Sequence, residues 1–234
     1  MKLNEILSPS FRTLRRELGI PEQRKPMVEA WRANDSDFCQ EVVARGWLTE
    51  EQMAHAAERY QLGKSRSGRC IFWMIDQAGR VLDGHIGNSW VSVMLKAREP
   101  QLLREWHTEH CLFGAHLVGN EKTKVYKNTT VAVVEREKSA VILSELFPEY
   151  LWLATVYPAN CNERTLRALQ GCHVVLFPPT DETGDTFLAW LEVAEQARRQ
   201  YSLDVTVSTI LEEHASAEQK ARHTDLVDFL IAEV

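Results

Sequence analysis

The chain has 234 residues, 44% of them hydrophobic, with 27 Lys and Arg against 33 Asp and Glu. That length suits one large domain or two modest ones with a buried core, and the ordinary apolar, charged and Gly/Pro fractions exclude disorder, collagen and coiled coil. The net charge of −6 excludes a wholly basic coat protein, yet from Asp204 onward seven acids face two bases, leaving the rest near neutral, so local basic patches can still meet a phosphate backbone.

The first sixty residues predict helices. Phe38, Val42, Val43 and Trp47 recur at helical spacing, and Thr49 with Gln52 forms a capping-box start for a helix over 50–60. Leu62-Gly63 reads as its end, with a C-cap glycine. Lys64 to Arg69 is a small basic loop. Cys70 to Ile75 then reads as a buried strand, Asp76 to Gly79 as a turn and Arg80 to Gly84 as the return strand of a hairpin. The apolar run Ile71 to Ile75 places this hairpin in the body. A helix is expected over 100–107.

From Lys127 the chain alternates short apolar strands with helices. Strands are expected at Val131–Val134, Leu151–Thr155, His173–Phe177 and Val205–Val207. Helices are expected at 138–147, 163–169 and 186–201, the last with Phe187, Trp190, Leu191 and Ala194 on one face. This order means right-handed βαβ units and a parallel sheet flanked by helices, an α/β fold. An acidic helical tail follows, and Leu226, Val227, Phe229, Leu230 and Ile231 are expected to dock it on the body.

No apolar run reaches the roughly 18 residues of a membrane span. The start, with Asn4 beside Glu5, is not that of a signal peptide. Cys39, Cys70, Cys111, Cys161 and Cys172 are scattered and contain no Cys-x-x-Cys, which suits a reducing cytoplasm and neither a zinc ribbon nor a disulfide framework.

Ligands of open parallel sheets bind beyond the carboxyl ends of the strands. Glu135 follows the first strand there, and Asp181, Glu182 and Asp185 follow the third. Converging carboxylates in a phosphate-handling site hold Mg²⁺. The alternative is that Glu135 and Asp181 are solvated loop acids and that Asp185 caps the following helix. His107, His110 and Cys111 could supply metal ligands, or be ordinary surface or partly packed residues. Lys64, Arg66 and Arg69, with Lys122, Lys124 and Lys127, could meet a nucleic-acid backbone or serve solubility. Lys138 could touch a phosphate or be solvated. Trp73, Trp90, Trp106, Trp152 and Trp190 fit core packing better than base stacking.

A Val-Val-Glu strand end at Val133–Glu135, an apolar helix, a Leu-Ala-Thr strand end at Leu153–Thr155, and Val174-Val-Leu-Phe-Pro178 followed by acids together resemble the Toprim domain of bacterial and phage primases and topoisomerases. The hairpin at 71–80 and Leu112–His116 resemble segments that precede Toprim in primase cores. Residues 60–190 are more closely similar to a family of bacterial Toprim-like proteins of conjugative and other mobile elements. The shared motifs are Tyr60-x-Leu-Gly-x-Ser-Arg-Ser-Gly68, Phe72-Trp-x-Ile-Asp-Gln-x-Gly-Arg80, Phe113-Gly-x-His-Leu117, Val134-Glu-x-Glu-Lys-Ser-Ala140 and Phe147-Pro-Glu-Tyr-Leu-Trp-Leu-Ala-Thr155. The tail ending Asp225-Leu-Val-Asp-Phe-Leu230 resembles that family's ending.

The resemblance implies Glu135 as general acid/base or metal ligand, and an Asp-x-Asp after the third strand as Mg²⁺ ligands. Here the first of those positions is Pro179 and the second Asp181, with Glu182 or Asp185 as replacements. The family's glycine-rich turn is here Val156 to Cys161, and its Phe-Gly-Glu-His-Leu glutamate is Ala115. A retained fold with a weakened site follows, holding Mg²⁺ weakly, and Glu135 and Asp181 are expected to approach each other. The expected organisation is a helical region 1–63, a primase-core-like hairpin region 64–126, a Toprim-like domain 127–208 and an acidic tail 209–234. The expected function is a cytoplasmic, mobile-element, primase-related protein. It binds nucleic acid through Lys64, Arg66, Arg69 and Lys138, DNA in preference to RNA, beside a replication or mobilisation protein partner and no membrane. The alternatives are a non-catalytic protein-interaction module, and an active Mg²⁺-dependent nucleotidyltransferase or nuclease using Glu135, Asp181 and Asp185.

Overall fold

The computed structural model describes residues 25–98, 111–118 and 129–231. The chain divides into two compact units between residues 110 and 111. The helix expected over 100–107 and the basic residues Lys122, Lys124 and Lys127 lie outside the described residues, as do Trp106, His107 and His110.

In the first unit, α1 (Lys25–Trp31) is followed by α2 (Asp37–Ala44) and α3 (Glu50–Arg59). Ser36 caps α2, its Oγ accepting from the Cys39 amide. Thr49 and Gln52 cap α3 reciprocally: Thr49 Oγ1 accepts from the Gln52 amide at 3.2 Å and Gln52 Oε1 from the Thr49 amide at 2.9 Å. After α3 the left-handed residue is Gln61, at φ 55°, and not Gly63. Gly63 opens β1 (Gly63–Lys64), which pairs with β2 (Cys70–Ile75). Strands β3 (Val81–Ile86) and β4 (Ser89–Trp90) complete an antiparallel sheet in the order β1-β2-β3-β4, and α4 (Val91–Arg98) follows.

Strand β2 is buried on both faces, as its unbroken apolar run requires. Phe72 stacks near Phe38 of α2, and Trp73 near Trp31 of α1. Glycine is needed at two places around Trp73. A Cβ on Gly84, the cross-strand partner of Trp73, would stand 2.8 Å from the indole ring, and one on Gly63 would stand 2.8 Å from its Nε1. Gly63 therefore serves packing, while Gln61 takes the turn.

The second unit is built on a parallel sheet whose strands, among the described residues, run in the order β6-β5-β7-β8. They are β5 (Thr130–Val134), β6 (Leu151–Ala154), β7 (His173–Leu176) and β8 (Asp204–Val207). Helices α5 (Glu137–Leu146), α6 (Glu163–Leu166) and α7 (Asp185–Tyr201) make the crossovers. Val131–Val134 are fully buried, as a central parallel strand must be. Trp152 is buried too, its Nε1 donating to the Phe147 carbonyl at 3.0 Å. Phe113 pairs with Ala154 in both directions along β6.

After β8 come three short helices, α8 (Ile210–His214), α9 (Ala217–Ala221) and α10 (Leu226–Ile231). Leu211, Leu226, Val227 and Phe229 are buried, so this acidic segment docks through its apolar residues.

Candidate functional site

The chain leaves β5 toward β6 on one side, then returns past β5 to build β7 and β8 on the other. The strand order therefore reverses between β5 and β7, and the crevice beyond their carboxyl ends is where an open α/β sheet receives a ligand. The loops there are 135–136 and 177–184, which carry the acids singled out in the sequence.

Glu135 is half-buried directly beyond β5. Burial pushes its carboxyl above the ordinary range; the Arg136 charge opposes this, Asp225 adds to it and His223 opposes it. Its backbone carbonyl accepts from the Val156 amide at 2.7 Å.

Asp181 is buried and its carboxylate is heavily engaged. Oδ1 accepts from the Thr183 amide at 2.9 Å, the Thr183 hydroxyl at 2.8 Å and the Asp185 amide at 3.2 Å; Oδ2 accepts from the Thr186 amide at 2.8 Å. Burial works against ionisation, but the bonds from Thr186 and Thr183 outweigh it and hold the carboxyl well below the ordinary range. Asp181 is thus the side chain that satisfies the opening amides of α7. Gly184 occupies the N-cap position, in a left-handed conformation, and Asp185 is the first helical residue. The helix cap thus comes from Asp181, four residues before Asp185. Thr183 Oγ1 lies 2.8 Å from both Asp181 Oδ1 and Asp185 Oδ2, tying those two acids together; Glu182 is exposed.

The Toprim resemblance implies a Mg²⁺ site, and this loop does not fit one as folded. Pro179 offers no side-chain donor, and the oxygens of Asp181 are already held by amides and a hydroxyl. Among the described residues, no group of three His, Cys, Asp or Glu side chains is placed to hold a metal ion.

The turn after β6 has a distinct character. Val156 sits at φ 74°, a conformation rarely adopted by a β-branched residue. Thr155 is buried, and its Oγ1 has no hydrogen-bond partner among the described residues. Asn160 holds the turn, its Nδ2 donating to the carbonyls of Thr155 at 2.8 Å and Cys111 at 3.1 Å. Burial, with a smaller contribution from Glu135, pushes the Cys161 thiol up to about 12, so it is an inert packing residue.

Sequence reasoning missed the residues that the acidic segment brings here. Asp225, almost fully buried, accepts from Ser139 Oγ at 2.5 Å and from the Asp228 amide at 3.1 Å. Arg136 lies 3.9 Å from Asp225 and 3.3 Å from Asp228. Burial, then Asp225, pushes the Asp228 carboxyl up, while Arg136 and Lys138 pull it down. Thr180 bonds to the segment twice, its amide to the Thr224 carbonyl and its hydroxyl to Glu212. The available signals were a polar Ser139 within an apolar helix and the i, i+3 spacing of Asp225 and Asp228 ahead of apolar residues.

The basic candidates differ in what they can offer. Lys64 is ion-paired with Asp35. Arg66 is exposed on the β1–β2 turn, and the exposed Arg69 lays its guanidinium over Gly87. Lys138 is exposed in the first turn of α5. Among the described residues no helix is long and apolar enough to cross a membrane.

The parallel sheet, its flanking helices and its strand order define a mixed α/β protein with a primase-type Toprim fold. Among solved structures it is similar to the DnaG catalytic core, with a TM-score of 0.52 and 15% identity over 89% of this chain and 81% of that one. It is also similar to the primase fragment of the bacteriophage T7 primase-helicase protein, with a TM-score of 0.45 and 17% identity over 75% of this chain. The chain spans 64% of that phage fragment. At 15% identity the likeness to the DnaG core is one of fold. The chain belongs to the family defined by a domain of unknown function, DUF6371, whose model matches residues 36–180. No curated protein matches it.

Proposed function

We propose that this chain is a primase-related, nucleic-acid-binding protein of a mobile element, working in the cytoplasm on DNA in preference to RNA, with Toprim catalysis weakened or lost. The observation that carries this reading is Asp181: on a primase-type fold, the acid expected to hold Mg²⁺ is bonded to the opening amides of α7. Nucleic acid is contacted through Arg66, Arg69 and Lys138. Lys64, already paired with Asp35, contributes less. A replication or mobilisation protein is the expected protein partner. The division into 1–63, 64–126, 127–208 and 209–234 belongs to this proposal.

Fluorescence anisotropy with labelled DNA and RNA across a salt series tests the reading. Replacing Lys64, Arg66 and Arg69 with Ala flattens the salt slope by about two units, short of three because Asp35 already offsets Lys64. Binding to neither DNA nor RNA would favour the protein-interaction module. The enzyme reading draws on Glu135, whose raised pKa suits a general acid or base. In that reading Asp181 and Asp185 are the metal ligands, and Asp181 must first release its amides. Calorimetry with Mg²⁺ and Mn²⁺ separates the two: no micromolar binding is expected, and Pro179→Asp should strengthen what binding there is. Mg²⁺-dependent turnover lost in Glu135→Gln would establish the enzyme.

A further inference from the structure

We propose that the segment 210–231 is an intramolecular cover over the carboxyl edge of the parallel sheet, and that its Asp225 and Asp228 occupy Arg136 in place of nucleic-acid phosphates. The proposal rests on the nucleic-acid-binding reading above and adds Arg136 to its contacts.

The cover meets the edge at both loops of the strand-order reversal. Beyond β5, Asp225 takes the Ser139 hydroxyl and, with Asp228, flanks Arg136. Beyond β7, Thr180 is held by the Thr224 carbonyl and by Glu212, which Lys220 fixes from within the cover at 3.2 Å. A ligand entering the crevice between β5 and β7 would meet this segment first.

The chemistry of the contact favours exchange. Arg136 is a guanidinium at the start of α5, where a helix N-terminus favours anions. It faces three carboxylates: Glu135, Asp225 and Asp228. Arginine binds phosphate and carboxylate with the same fork of donors, so a phosphodiester can take the place of Asp228. That pair is half in solvent, the side chains being 48% and 50% exposed, and such pairs hold weakly. Docking also crowds Glu135, Asp225 and Asp228, whose mutual repulsion opposes the closed arrangement. On its outer side Asp228 borders an open cleft of about 530 Å³, lined also by Ser216, Glu218, Gln219, Arg222 and Thr224. The cover is therefore tethered by buried apolar residues, while its polar latch opens to water.

The test uses the full chain, a labelled single-stranded DNA oligonucleotide and low salt. Asp228→Ala should tighten binding about threefold, the scale of one exposed ion pair. Arg136→Ala should weaken binding and abolish the gain from Asp228→Ala. Glu149→Ala makes the same charge change before β6, at the opposite end of the strands, and should change binding far less. An equal gain from Glu149→Ala, or a gain from Asp228→Ala that survives Arg136→Ala, would overturn the proposal. Hydrogen exchange separates its fate from that of the function. Amides of 224–231 should exchange faster in Ser139→Ala, which takes a hydroxyl donor from the buried Asp225 carboxylate. If no variant binds DNA or RNA, the functional reading fails, yet faster exchange still supports the cover. Unchanged exchange overturns the cover whatever the DNA result.

Discussion

Asp181→Ala should destabilise the second unit by about 3 kcal/mol. The side chain accepts from three backbone amides, those of Thr183, Asp185 and Thr186, and from one hydroxyl. Loss of a helix cap alone costs about 1 kcal/mol, rising to about 2. Hydrogen bonds to a charged acceptor are stronger, at about 1.5–3 kcal/mol each, but Thr183 and Asp185 are exposed residues, so water can replace part of what their amides lose. About 3 kcal/mol is the balance, equivalent for a unit of this size to a melting temperature lower by roughly 9–18 °C. Asp181→Asn keeps the shape but turns an N–H donor toward one of those amides, so it should lose nearly as much. The pH dependence has a fixed sign. Because the folded carboxyl titrates below its unfolded value, its stabilisation is present above about pH 4 and fades as pH falls toward the folded pKa. The gap between wild type and Asp181→Asn should therefore be full at pH 7 and narrow toward pH 2. Urea denaturation followed by circular dichroism and tryptophan fluorescence reads both effects, with the two units fitted as separate transitions if they separate. An Asp181→Ala protein as stable as wild type, but with weakened Mg²⁺ binding, would refute this and return Asp181 to the role of ligand.

Glu135→Gln should raise stability at pH 7, since burial disfavours the charge it removes; its advantage over wild type should grow as pH rises through the folded pKa of Glu135, and urea midpoints from pH 4 to 8 check both. Ser139→Ala should cost about 1–3 kcal/mol by depriving the buried Asp225 carboxylate of a donor, measured as a lower urea midpoint. Gly84→Ala should cost about 2 kcal/mol, because a methyl 2.8 Å from the Trp73 ring forces the indole aside; an unchanged near-ultraviolet dichroism spectrum would show that the ring had not moved.

Much of the fold was legible because its signals are local. The Thr49–Gln52 capping box, the apolar run of β2 and the strand-helix alternation after residue 129 each lie within a few residues and repeat a known period. Gly63 misled because glycine has two uses. Its sequence position suits a helix end, but the constraint comes from an indole on another strand. The candidate site was legible in part. Glu135 and Asp181 stand just beyond their strands, as chain order requires. The partners of Arg136 and Ser139 were not legible, since Ser139 and Asp225 are 86 residues apart and only the docking of an apolar helix brings them together. Asp181 as a cap was hidden by its distance from the helix start, because the side chain that accepts from the opening amides ordinarily sits directly before the first turn.

Val156 carries an evolutionary consequence. A β-branched side chain at φ 74° stores strain that glycine would not, and Asn160 holds the turn in place despite it. A valine codon becomes a glycine codon by a single base change, and that change would relax the turn and bare its backbone beside Glu135. Converting Pro179 to aspartate needs more than one. The two positions are therefore unequally open to change: the backbone of the turn can relax by one base change, while a carboxylate at position 179 needs more.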